Sequence, residues 1–167
     1  MGTRQQVKFF VSYARANKDL AVNFLSRFKD QTTPSKRYEY SLWQDSEILV
    51  GEKWNDEIKA ALGQAQIGLL LLSPAFLGSQ YIAFHELPAF GGQEAKPLMP
   101  IMLQPVDLEH HDLKGLQETQ IFRLESPRFK NPKAFGECTS SLRDRFAQVL
   151  FGQVETRLGK LLGSKST

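Results

Sequence analysis

The chain has 167 residues, 41% of them hydrophobic and 23% charged, which fits one soluble globular domain with a sizeable core. Its net charge of +3 comes from 21 basic and 18 acidic residues without a block of like sign, so no nucleic-acid partner is implied. The single cysteine, Cys138, excludes an internal disulfide and suits a reducing cytoplasm; the three histidines show no metal-ligand spacing, and no apolar run is long enough for a membrane span or a signal peptide.

Val7 to Tyr13 is a short run of aromatic and β-branched residues and reads as a buried strand. Asn17 is placed to cap the next helix, with Asp19 in its first turn, where the helix dipole favours an anion. Leu20, Ala21, Phe24, Leu25 and Phe28 recur at helical spacing until Thr32-Thr33-Pro34-Ser35 breaks the pattern. Tyr38 to Trp43 is a second strand ending at Gln44-Asp45, and Ser46 to Lys53 is a loop turning at Gly51. Trp54, Ile58, Ala61, Leu62 and Ala65 form the stripe of a second helix.

Ile67 to Leu72 is a continuous apolar run, as expected of a parallel strand buried on both faces. It empties into a Ser73-Pro74 turn, then Gly78-Ser79, then a short apolar helix that carries Glu86 just before Pro88. Pro97 to Leu103 is a fourth strand and Gln120 to Leu124 a weaker fifth, with a polar irregular stretch between them. Leu142, Phe146, Val149 and Leu150 mark a last helix from about Ser140, which Gly152 either ends or lets run on through Leu158, Leu161 and Leu162. Residues 1–162 are expected to form one domain, and 163–167 a flexible tail or the start of a linker.

Alternating strands and helices imply a doubly wound α/β domain with right-handed crossovers. Such folds take ligands at the carboxyl ends of the strands. Ser12-Tyr13-Ala14-Arg15, Asp45 and Ser73-Pro74 all fall there. No phosphate-cradling G-x-x-x-x-G-K-[ST], no G-x-G-x-x-G after the first strand and no G-x-S-x-G elbow is present. The chain is therefore a binding module or an enzyme that needs few catalytic groups.

Three motifs, in order, resemble the Toll/interleukin-1 receptor (TIR) domain family. Phe9-Phe10-Val11-Ser12-Tyr13 is similar to its first box. Leu42-Trp43-Gln44-Asp45, the loop from Ile48 through Leu49, Val50, Gly51, Glu52 and Lys53 to Trp54, and the helix through Ile58 resemble its second strand, BB loop and next helix. Leu70-Leu71-Leu72-Ser73-Pro74-Ala75-Phe76-Leu77-Gly78-Ser79, followed by Tyr81 and Glu86, resembles the third-strand region of bacterial members. Together they span roughly Lys8 to Leu103.

The resemblance implies a flavodoxin-like three-layer α/β domain with a five-stranded parallel sheet. It also implies one of two roles. Many bacterial and plant TIR domains cleave NAD+, releasing nicotinamide and ADP-ribose or a cyclic ADP-ribose, in bacterial defence or as toxins. Animal adaptor TIR domains instead bind other TIR domains. The essential glutamate of the cleaving members matches Glu86. Many members carry Trp-Cys shortly before it; this chain has Tyr81-Ile82 at a different spacing, and Tyr81 can supply the aromatic ring. NAD+ would be the substrate, with no cofactor and no metal. Ser12, Tyr13, Arg15, Asp45, Trp54, Ser79 and Tyr81 are the substrate-binding candidates. Leu49, Val50, Gly51, Glu52 and Lys53 form the loop expected to dock on a neighbouring TIR domain, head to tail, into a homo-oligomer or filament. A sensor domain, fused or separate, is compatible with this reading.

Taken without the resemblance, each residue has a plainer role. Glu86 is a helix-surface charge, Ser79 a helix cap, Asp45 a brace for its loop, Trp54 an anchor between loop and helix, and Arg15 a solvated cation. A non-catalytic TIR scaffold and an unrelated small-ligand sensor are the alternatives to an NAD+-cleaving enzyme.

Overall fold

The computed structural model describes residues 4–44, 65–78, 98–113, 116 and 120–162. Four strands, β1 (Gln5–Tyr13), β2 (Tyr38–Gln44), β3 (Ile67–Leu72) and β4 (Leu98–Met102), form one parallel sheet in the order β2-β1-β3-β4. The chain thus steps outward from β1 to β2, then returns past β1 to β3, and the strand order reverses between β1 and β3. All six residues of β3 are buried, as its unbroken apolar run requires.

Strand alternation sends Val7, Phe9, Val11 and Tyr13 to one face of β1, and Lys8, Phe10 and Ser12 to the other. On the Phe9 face lie α1 (Lys18–Thr32) and α3 (Ser140–Leu162). Helix α1 buries Ala21, Phe24, Leu25 and Phe28, the spacing that made it legible as amphipathic. Its Phe24 meets Phe135 and Phe146 edge to face, at ring-centroid distances of 5.4 and 6.1 Å. Phe146 in turn meets Phe122 at 4.9 Å, which ties α3 to the far edge of the sheet. Such edge-to-face pairs add to the area that the rings bury.

Polar ties hold the same layer in register. Arg27 of α1 pairs with Asp144 of α3 and also donates to the Ser140 carbonyl at 3.2 Å. The Tyr40 hydroxyl donates to Glu155 Oε2 at 2.6 Å, and Ser35 Oγ donates to the same oxygen at 2.8 Å. Burial, followed by the bond to Glu155, pushes the Tyr40 phenol well above the usual tyrosine range. Arg4 donates to the carbonyls of Thr33 at 2.9 Å and Ser35 at 3.1 Å, satisfying groups just past the end of α1.

Three expectations are refined. The Ser73-Pro74 pair opens a helix, α2 (Pro74–Gly78), where a turn was expected. Proline suits the first helical position, and Ser73 Oγ accepts the Phe76 N–H at 3.0 Å as a cap. Gly152 does not end the last helix, because buried Val154 and Leu158 anchor its second half. The fifth strand, expected over 120–124, is among the described residues a single parallel bridge between Phe122 and Ile101. Phe122 donates to the Pro100 carbonyl and accepts from Met102, each at 2.9 Å, after which Leu124 turns to pair antiparallel with Lys133. The helices expected over 54–65 and around Glu86 fall almost wholly outside the described residues.

Candidate functional site

In open parallel sheets the crevice for ligands opens at the carboxyl ends of the strands where the strand order reverses. Here that point lies between β1 and β3. Two chain segments meet there: the end of β1 with the 3-10 turn Arg15–Asn17, and Ser73 with α2.

Ser12 sits one residue before the end of β1, beside Leu70 of β3. It is 1% exposed, and its hydroxyl finds no hydrogen-bond partner among the described residues. An unpaired buried hydroxyl costs about 1–3 kcal/mol, so such groups are rare without a reason. Tyr13 is buried at 3% exposure and its ring belongs to the hydrophobic core. Adjacent in sequence, Ser12 and Tyr13 face opposite sides of the sheet, since side chains alternate along a strand. Arg15 is exposed at the start of the turn, with Lys18 exposed after it and Asp19 exposed beyond. The turn itself is closed by the Asn17 N–H donating to the Ala14 carbonyl at 2.8 Å.

Sequence reasoning missed one link across the crevice. Ser73 is fully buried, and its hydroxyl donates to Asn17 Oδ1 at 2.6 Å while accepting the Phe76 N–H. One hydroxyl therefore joins the turn after β1 to the start of α2. Asn17 does occupy the N-cap position of α1, but its side chain makes no capping bond there. The buried Ser73 proton needs an acceptor, and Asn17 provides it. The partners are 56 residues apart, so nothing in the local sequence signals the pair.

Of the sequence-derived residues, Ser12, Tyr13 and Arg15 are brought to this end of the sheet. Asp45, Trp54, Ser79, Tyr81 and Glu86, and the loop Leu49, Val50, Gly51, Glu52 and Lys53, lie outside the described residues.

Two other features stand apart from the crevice. A cavity of about 470 Å³ opens beyond β4, lined by Leu113, Phe122, Arg123, Glu125, Val149 and Gln153 among others. None of its described lining residues belongs to the sequence-derived site. The donor atoms of Asp107, Glu109 and His110 come within 4.8 Å of one another on an exposed turn. Hydrogen bonding within the turn accounts for this trio. Asp107 Oδ1 accepts the N–H groups of Glu109 and His110 at 2.9 and 3.0 Å, and Oδ2 meets the His110 ring at 2.9 Å. The bond to the His110 side chain, then that to its backbone, holds the Asp107 carboxyl below its usual range. Among the described residues no helix is long and apolar enough to cross a membrane.

A family model described as TIR domain matches residues 9–135, from the middle of β1 to the short 3-10 turn Phe135–Glu137 before α3. A comparison with curated proteins finds no match.

Proposed function

The chain belongs to the TIR domain family, and from that premise we propose that it is an NAD+ hydrolase, cleaving the nicotinamide–ribose bond at the β1/β3 crevice. The observation that supports this reading is the Ser12 hydroxyl, buried at the carboxyl end of β1 with no hydrogen-bond partner among the described residues. A polar ligand in the crevice would satisfy it. The exposed cations Arg15 and Lys18 suit a pyrophosphate at the mouth, with Asp19 limiting how far the positive potential extends.

The reaction needs few groups. Nicotinamide leaves from a pyridinium: the C–N bond breaks, its electron pair neutralises the ring nitrogen, and no acid is needed to protonate the leaving group. A glycosidase ordinarily needs two carboxylates because its leaving group is poorer. One carboxylate suffices here if it binds the ribose hydroxyls and faces the positive charge that grows at the anomeric carbon. Glu86 takes that role in this proposal, in the segment that follows α2. Water attacking the anomeric carbon and releasing its proton to solvent gives ADP-ribose. Attack by the adenine of the same molecule gives a cyclic product. Tyr81 supplies the ring beside the nicotinamide, and Asp45, Trp54 and Ser79 complete the pocket. The loop Leu49–Lys53 docks on a second copy, so that turnover rises with assembly.

The test is NAD+ consumption with product separation, at high protein concentration and under crowding, for the wild type and Glu86→Ala. Wild-type nicotinamide release that falls by ~10²–10³-fold or more in the variant is the expected result. Release retained by a folded Glu86→Ala variant overturns the assignment of the carboxylate. A wild type that assembles but never turns over favours the scaffold.

A further inference from the structure

Asn17 caps nothing with its side chain, although an N-cap asparagine ordinarily accepts a first-turn N–H. Its carboxamide is held across the crevice instead, by Ser73 at 2.6 Å. Among the described residues the direction of that bond follows from Ser73's other partner. Ser73 is fully buried, its oxygen already accepts the Phe76 N–H, and its single proton needs an acceptor. Asn17 must therefore present Oδ1, which fixes the amide orientation from the hydrogen-bond network. The two N–H donors on the other branch make no hydrogen bond with a described residue, and Asn17 is only partly buried. A neutral pair of donors is thus left unspent at the reversal point between β1 and β3.

We propose that Asn17 is a substrate contact, donating its amide N–H groups to an oxygen of the bound dinucleotide, and that Ser73 is the positioning residue that holds the amide in that orientation. This rests on the reading of the crevice as an NAD+ site. Ser73 itself, with both of its hydrogen bonds made inside the protein, does not touch the ligand. The acceptor is a ribose hydroxyl or a phosphate oxygen, each of which offers the lone pairs that a carboxamide nitrogen can bind.

Equilibrium binding of NAD+ to the full chain in a Glu86→Gln background, where turnover is suppressed, provides the test. Asn17→Asp keeps the acceptor for Ser73 and swaps the donors for an anion. It is expected to raise the Kd roughly tenfold or more while the melting temperature stays near that of the parent. Asn17→Ala should weaken binding in the same direction. Ser73→Ala, by freeing the amide to turn, should raise the Kd several-fold, and Ser73→Thr should restore it. A folded Asn17→Asp protein that binds NAD+ as its parent does overturns the proposal. Absence of NAD+ binding by the parent and the wild type sinks both this proposal and the hydrolase. Binding that depends on Asn17, in a wild type that never cleaves, sinks only the hydrolase. Nicotinamide riboside and nicotinamide mononucleotide separate the two acceptors: weakening of both by Asn17→Asp assigns the ribose, and weakening of the mononucleotide alone assigns the phosphate.

Discussion

Replacing Tyr40 by Phe removes one oxygen from the layer between the sheet and α3 and leaves the ring in place. The ring keeps its neighbours Phe9 at 5.4 Å, Phe28 at 6.4 Å and Phe151 at 6.3 Å, so little packing is lost. What goes is the 2.6 Å bond to Glu155, an acceptor of carboxylate type. Bonds to charged groups contribute about 1.5–3 kcal/mol. Glu155 is partly exposed and still accepts from Ser35, so the lower end applies, about 1.5 kcal/mol. For a domain of this size that corresponds to a fall in Tm of about 3–6 °C. The pH dependence is the sharper test. The folded-state pKa of Tyr40 is raised above its ordinary 10.0, so the protonated form is the one that the fold favours. Its contribution is fully present below about pH 10 and is lost as pH rises, because the unfolded chain gives up the phenolic proton first. By about pH 11 this linkage alone removes about 1.4 kcal/mol from the wild type and nothing from Tyr40→Phe. Urea unfolding of both proteins between about pH 8 and pH 11 should therefore show the gap between them closing, with the other tyrosines cancelling in the difference. A gap that persists or widens at high pH refutes the reasoning.

Phe146→Ala should cost about 3–5 kcal/mol in urea melts, since a fully buried ring in contact with Phe24, Phe122 and Phe135 leaves a cavity. A loss below about 1 kcal/mol would mean that the α3 face does not pack as described. Gly152→Ala should stabilise by about 0.5–1 kcal/mol, read as a rise in the urea midpoint. The glycine is exposed in mid-helix, and a Cβ there would meet nothing within 4 Å; destabilisation would show that α3 breaks at this position in solution.

The elements that were legible in the chain are those whose pattern is local. β3 announces itself because a strand buried on both faces has no polar position to alternate with, and α1 because its buried residues recur every three or four positions. Ser12 could be picked out at the end of β1 because it follows the apolar run Phe9-Phe10-Val11. Position in the chain also sufficed to name Ser73, but not its role: proline after serine marks a turn as readily as a helix start, and only the 3.0 Å bond from Phe76 decides between them. The fifth strand is represented among the described residues by one parallel bridge, since an apolar run such as Ile121-Phe122 does not reveal how soon its neighbour Leu124 will pair elsewhere.

The amino-acid sequence by itself determined the alternation of strands and helices, the absence of the common phosphate and nucleophile motifs, and the motif order of a TIR domain. These depend on hydrophobic periodicity and on residues close together in the chain. Tertiary structure alone decided which strands lie side by side, and hence that the order reverses between β1 and β3. It also decided that the Ser12 hydroxyl meets no partner among the described residues and that Asn17 serves Ser73 rather than its own helix. Both outcomes turn on where buried donors and acceptors find each other, and that is settled only when distant segments are packed together and water is excluded.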